Sequence, residues 1–216
     1  MANSQSSRAI DDALFDAVVQ KDVEKASEAI AKSADVNVVA RDVGDYGTEF
    51  GGYPSALQVA CGVGSTDMVD LLIRKKANVK YQEKWFGWTA LHYASRGGHV
   101  SIMKRLISCG CNRQVKNHIG FTALHVAGNV DVVDYLLSIG LNIEDRHEWG
   151  YTPFFRACLD GRLPVVQRLI ESKCNKAATT NVSLFVCNIF CDDIQTVVCT
   201  WEDWQVSVMV GSVCVT

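Results

Sequence analysis

The phrase Thr89-Ala90-Leu91-His92 returns as Thr122-Ala123-Leu124-His125, 33 residues further on, and each copy leads into a second apolar run and a polar exit. This recurrence constrains the fold more than composition does. A period of about 20–50 residues marks a supersecondary unit that cannot bury its own apolar face and gains a core only by stacking on its neighbours. Weaker copies flank the pair: Ser55-Ala56-Leu57-Gln58-Val59-Ala60 before it and Thr152-Pro153-Phe154-Phe155-Arg156-Ala157 after it. An earlier stretch, ALFDAVVQKDVEKASEAIAKSADVN, lacks the phrase but keeps the order of apolar run, turn, apolar run and polar exit. Five units therefore cover residues 11–177.

The letters have physical reasons. Thr at the first position can N-cap a short helix by accepting from unpaired backbone N–H groups. Pro153, one place later, fits a first turn where its missing N–H costs nothing. The following Leu and Ala lie three apart and share one helix face. Gly64, Gly98 and Gly161 fall where the first helix must stop and reverse.

The repeated phrase resembles the T-P-L-H-x-A signature of ankyrin repeats. The resemblance implies an all-α solenoid of about five helix-turn-helix units with β-hairpin fingers, followed by an irregular C-terminal tail. On this reading residues 1–10 are an N-terminal extension and residues 11–177 the array. The units lie near 11–40, 53–84, 87–117, 120–147 and 150–177, with inner helices starting near residues 12, 55, 89, 122 and 152. Residues 178–216 form an atypical Val- and Cys-rich tail, disordered or weakly β, with no helical period.

Three departures from regularity stand out. From Asn37 to Ser55 is 18 steps, against 8 from Gln114 to Thr122 and from Glu144 to Thr152, so the first finger carries 10 extra residues, with Tyr46, Phe50 and Tyr53 spaced along it. Such an insertion is either a tolerated surface loop or an extended contact. From Thr122 to Glu144 is 22 steps against 25 in the neighbouring units, and the loss falls just after Ala127. That predicts a shortened inner helix, a local notch and a tight turn at Gly128 and Asn129. Finally, the phrase due near residue 185 is replaced by the tail.

Charge and chemistry narrow the function. All 21 Lys and Arg precede residue 177, leaving the body near +1 and the tail at −4, so no polybasic surface suggests nucleic acid or anionic lipid. No apolar run approaches the roughly 20 residues of a membrane span, and the N-terminus has no apolar signal core. These features predict a cytoplasmic protein, with the nucleus as the alternative, and a default of reduced thiols. His92 and His125 stand a full repeat apart, unlike a metal pair. The stretch CGVGST at residues 61–66 lacks the Lys of a phosphate loop. Cys187, Cys191, Cys199 and Cys214 do not have zinc-ligand spacing. No nucleophile sits in a recognisable context with a His and an acid, so no enzyme, cofactor or metal is expected.

The resemblance implies a binding surface at the residues around G-x-T, the fingertips and the inner helices. Just before the glycine stand Phe86, Ile119 and Trp149, and just after it Trp88, Phe121 and Tyr151. Trp85, Arg96, Glu148 and Asp160 add contacts beside these columns. Trp and Tyr are enriched among residues that dominate interfaces, but aromatics after the glycine can also stack between fingers. The expected function is a scaffold or adaptor that binds another protein as a monomer. The alternative is a regulatory or targeting fragment of a larger protein, a kinase or ubiquitin-ligase subunit whose effector lies elsewhere.

Overall fold

The computed structural model of the chain describes residues 2–40 and 53–175, with side chains from Arg8 onward. The insertion residues Tyr46 and Phe50, and the tail with its Cys187, Cys191, Cys199 and Cys214, lie outside the described residues. Among those described, the helices are α1 (Ala2–Val19), α2 (Val23–Ala31), α3 (Ala56–Val63), α4 (Thr66–Arg74), α5 (Ala90–Gly97) and α6 (Val100–Ser108). A 3-10 helix (Ala123–Val126) follows, then α7 (Val130–Ser138), α8 (Pro153–Leu159) and α9 (Leu163–Glu171). They pair into five helix-turn-helix units stacked side by side. α1, α3, α5, the 3-10 helix and α8 form one layer, and α2, α4, α6, α7 and α9 the other.

The periodicity of each run explains its burial. In the outer layer the buried residues recur at i, i+1 and i+4: Met68, Val69 and Leu72; Ile102, Met103 and Leu106; Val132, Val133 and Leu136; Val165, Val166 and Leu169. That spacing places three side chains on one helix face. In the inner layer a large residue and two small ones alternate, as in Ala90, Leu91 and Ala94, all buried. Each fully buried Leu contributes about 2 kcal/mol of transfer free energy, and the small alanines let adjacent inner helices approach closely. α3 and α5 end at Gly64 and Gly98, both in the left-handed region that a Cβ disfavours.

The structure departs from the expectations in three places. α1 starts at Ala2 rather than near residue 12, so the backbone of the residues read as an extension is continuous with the first helix. The fingers were expected to be β-hairpins, yet the described residues contain no strand, only an isolated antiparallel bridge between Val39 and Ser55. The three later fingers close instead through two backbone hydrogen bonds each, Glu83 N–H to Trp88 O and Gly87 N–H to Glu83 O, Asn117 N–H to Phe121 O and Gly120 N–H to Asn117 O, and His147 N–H to Tyr151 O and Gly150 N–H to His147 O, at 2.9–3.2 Å. Third, the finger leading into the third unit is one residue longer than those after it.

Hydrogen bonds establish that last register. Asp35, Asn78, Asn112 and Asn142 each accept, through the side chain, from the N–H two residues on, at 2.9–3.0 Å. Asn37, Lys80, Gln114 and Glu144 are therefore equivalent, and the 10-residue excess of the first finger follows. Lys80 to Thr89 is 9 steps, one more than in the last two fingers.

In the fourth unit the expected shortening is present. With only four residues before Ala127 turns to an extended conformation, bonds close to the third residue rather than the fourth, giving a 3-10 turn. Neighbouring units satisfy the polar groups left over. Ser95 Oγ donates to Ala123 O at 2.6 Å, Gly128 N–H donates to Ser95 O at 2.9 Å, and the Arg162 guanidinium donates to Ala127 O at 2.7 Å. Gly128 matters here for space, since a Cβ would overlap the Arg96 carbonyl. Asn129 N-caps α7, accepting from Val132 N–H at 3.0 Å.

Candidate functional site

In the second, third and fourth units the side chain of the repeated phrase's fourth residue closes the cap and ties it to the next unit. Thr89 N–H donates to His92 Nδ1 at 3.2 Å, so Nε2 carries the proton and donates to Phe121 O at 2.9 Å. His125 repeats this between Thr122 N–H and Tyr151 O. In the second unit Gln58 does the same work, with Oε1 accepting from Ser55 N–H and Nε2 donating to Trp88 O at 2.7 Å. Burial holds the histidines neutral. Desolvation lowers His92 to about 4 and His125 to about 3, although the carbonyl each faces opposes the shift. Both ring nitrogens of each are engaged within the fold.

The fingers are built on a second recurring position that the repeat signature does not reveal. The Glu83 carboxyl is fully buried and accepts from the N–H groups of Trp85, Phe86 and Trp88 at 2.7, 2.6 and 3.3 Å. At the same place Asn117 Oδ1 accepts from Ile119 and Phe121 N–H, and His147 Nδ1 from Tyr151 N–H at 2.8 Å. The available signal was an acceptor side chain four or five residues before each aromatic that follows the glycine. Neighbouring tips are then clipped together: His118 N–H donates to Phe86 O at 2.8 Å and Glu148 N–H to Ile119 O at 3.1 Å.

This frame splits the two aromatic columns. After the glycine, Trp88 is 6% and Phe121 5% exposed, and Tyr151 is half-buried. Trp88 packs on His92 and Tyr93. Phe121, His147, Tyr151 and Phe155 form a continuous ring stack with centroids 4.5–4.7 Å apart, and the Arg156 guanidinium lies over Phe121 at 5.3 Å. Before the glycine the column turns outward: Phe86 is 40% and Trp149 55% exposed, beside Trp85 at 54%, while Ile119 is half-buried. Trp85 is held edge-on by Tyr53 at 5.6 Å, and Trp149 by His147 and Tyr151.

Of the remaining candidates, Glu148 is exposed next to Trp149. Asp160 is engaged internally, paired with Arg156 at 2.7 Å and Arg162 at 3.1 Å. It holds the arginine that fills the fourth unit's notch and the one that lies on Phe121. Arg96 is half-buried against the same notch. Asp160 therefore links the notch, through Arg162, to the aromatic column behind the tips, through Arg156 on Phe121, and neither it nor Arg96 is among the exposed tip residues Trp85, Phe86, Glu148 and Trp149. No described helix is long and apolar enough to cross a membrane.

A family model for ankyrin repeats matches in three overlapping copies, over residues 14–117, 56–147 and 98–180. The chain belongs to the ankyrin repeat family, whose repeats are generally non-catalytic modules of protein-protein interaction. It is similar to an E3 ubiquitin-protein ligase, XBAT33 of Arabidopsis thaliana, at 28% identity over 61% of this chain and 31% of the relative. It is also similar to the tyrosine-protein kinase Shark of Drosophila melanogaster, at 32% identity over 58% of this chain and 14% of the relative. A third relative is the ankyrin repeat and KH domain-containing protein mask-1 of Caenorhabditis elegans, at 33% identity over 54% of this chain and 5% of the relative. The chain thus spans less than a third of the length of each of these relatives.

Proposed function

We propose that residues 11–177 act as a scaffold or adaptor, without catalysis or cofactor, that binds one partner protein through the fingertip row. Trp85, Phe86 and Trp149 are the main contacts, with Ile119 and Glu148 beside them. The observation that carries this reading is that three large aromatics stay 40–55% exposed while edge contacts and clipped backbones hold them in place. An aromatic fixed before encounter loses little conformational entropy on binding, which favours affinity. Trp88, Phe121 and Tyr151 support the fingers from behind, and Arg96 and Asp160 support the notch. The monomer works in the cytoplasm.

The test is proximity labelling with the full chain and with a Trp85→Ala/Phe86→Ala/Trp149→Ala variant, alongside a circular dichroism check of helicity. Loss of one reproducible partner with helicity retained supports the reading; an unchanged partner set sinks it. A second reading, a targeting fragment of a larger enzyme, draws support from the ligase and kinase names of relatives that extend far beyond the matched segment.

A further inference from the structure

The fingertip row carries a charge gradient as well as an apolar stripe. In the finger before Trp88 the exposed charges are Lys80 and Lys84, because the carboxyl of Glu83 is turned inward and consumed by the three backbone N–H groups it caps. The next finger, residues 113–121, has Arg113 and Lys116 and no acid. Its Lys116 leans across to Asp145 of the finger beyond at 3.3 Å. That last finger sets Glu144, Asp145 and Glu148 against its own Arg146 and the incoming Lys116, which leaves one acid in excess; Glu144 is half-buried and accepts from Asn175 N–H at 2.6 Å, and Glu148 is exposed beside Trp149. The row therefore runs from cationic around Trp85 and Phe86 to anionic around Trp149, with the aromatic stripe along it.

We propose that this row takes an extended segment of the partner protein that carries two apolar anchors, with acidic residues around the first and a basic residue beyond the second. The proposal rests on the fingertip reading above and adds the partner's chemistry and direction. Complementary charge along a fixed apolar row steers encounter and sets polarity, because the reversed segment would place like charges together at both ends. Short runs of exposed charge act only within about 10 Å at ordinary salt, so the effect is local to each anchor.

The experiment pans a display library of random peptides about 16 residues long against the full chain at low ionic strength and measures enriched peptides by fluorescence anisotropy. Enriched peptides should pair two large apolar residues with an acidic cluster at one end. They should lose about tenfold or more in affinity for a Trp85→Ala/Trp149→Ala variant, and similarly for Lys84→Glu/Arg113→Glu. Panning against the charge-reversed variant should enrich basic clusters instead. If affinity falls with the tryptophans but ignores the charge reversal, the acidic partner is wrong while the fingertip face stands. If the tryptophan changes have no effect, both readings fall. A library that yields no enriched peptide overturns the proposal, as does a chain that sediments as a dimer and becomes monomeric on Trp149→Ala. Should the tryptophan variant lose helicity, the charge reversal alone decides.

Discussion

His147 lies flat on Phe121, ring planes 9° apart and centroids 4.7 Å apart, while its Nδ1 accepts the Tyr151 N–H. One side chain thus closes the last finger and welds it to the finger before. Replacing it by Ala should cost about 2–3 kcal/mol, from a lost stack and an unpaired buried donor. His147→Asn, which supplies the acceptor found at the equivalent position 117, should recover part of that. Urea denaturation of the two variants checks the order; equal losses would assign the whole effect to stacking.

The buried histidines make stability depend on acid. Both are neutral when folded, and their folded values, about 4 for His92 and about 3 for His125, lie below the unfolded value near 6.5. The unfolded chain therefore takes up protons first as pH falls. Their stabilising contribution is fully present above about 6.5 and is lost progressively down to the folded values. His92 alone should cost about 2 kcal/mol between pH 7.5 and 5. His92→Gln, which copies the side chain that Gln58 uses in the second unit, should keep the cap and flatten that part of the pH profile. A wild-type slope in the variant would refute the assignment.

Trp88 and Trp149 should respond differently to truncation. Trp88→Ala empties a packed site and should cost about 3–5 kcal/mol. Trp149→Ala removes an exposed ring and should leave stability within the change of about 0.5 kcal/mol typical of surface sites. Calorimetry distinguishes them. A large loss at Trp149 would make that ring a structural element and remove it from the binding face.

Gly128→Ala should destabilise the array by about 2 kcal/mol or more, because the new methyl meets the Arg96 carbonyl and must displace backbone. Gly110→Ala is the comparison: its site is open, so its cost comes only from the left-handed backbone, about 1–2 kcal/mol. A smaller loss at residue 128 than at residue 110 would show that the notch can give way.

The helical units were legible because burial follows a fixed period: the threonine caps, the i, i+1, i+4 triplets and the three-residue loss after Ala127 are all written as spacing. The fingers were less so. Expecting hairpins there overlooked how few residues lie between Asn112 and Thr122 for pairing. The extra residue in the finger that carries Trp85 was also countable, since Ser55 to Thr89 is 34 steps and Thr89 to Thr122 is 33. Which aromatic column faces outward could not be read from residue type, because Trp88 and Trp149 are the same residue one place either side of a glycine. Their difference comes from tertiary packing: Trp88 seats against His92 and Tyr93, whereas Trp149 meets His147 and Tyr151 only edge-on and keeps its face in solvent. The pairing of Asp160 was legible, since its two arginine partners stand four residues before it and two after it in the sequence.

The notch in the fourth unit has a consequence for how such a protein can change over generations. Regular repeats can be duplicated, deleted or exchanged, because every junction is alike. Here the fourth unit needs Ser95 on one side and Arg162 on the other to complete its own main chain. Moving it elsewhere in the array would strand those groups, so the third, fourth and fifth units should tolerate exchange only as one block in fixed order.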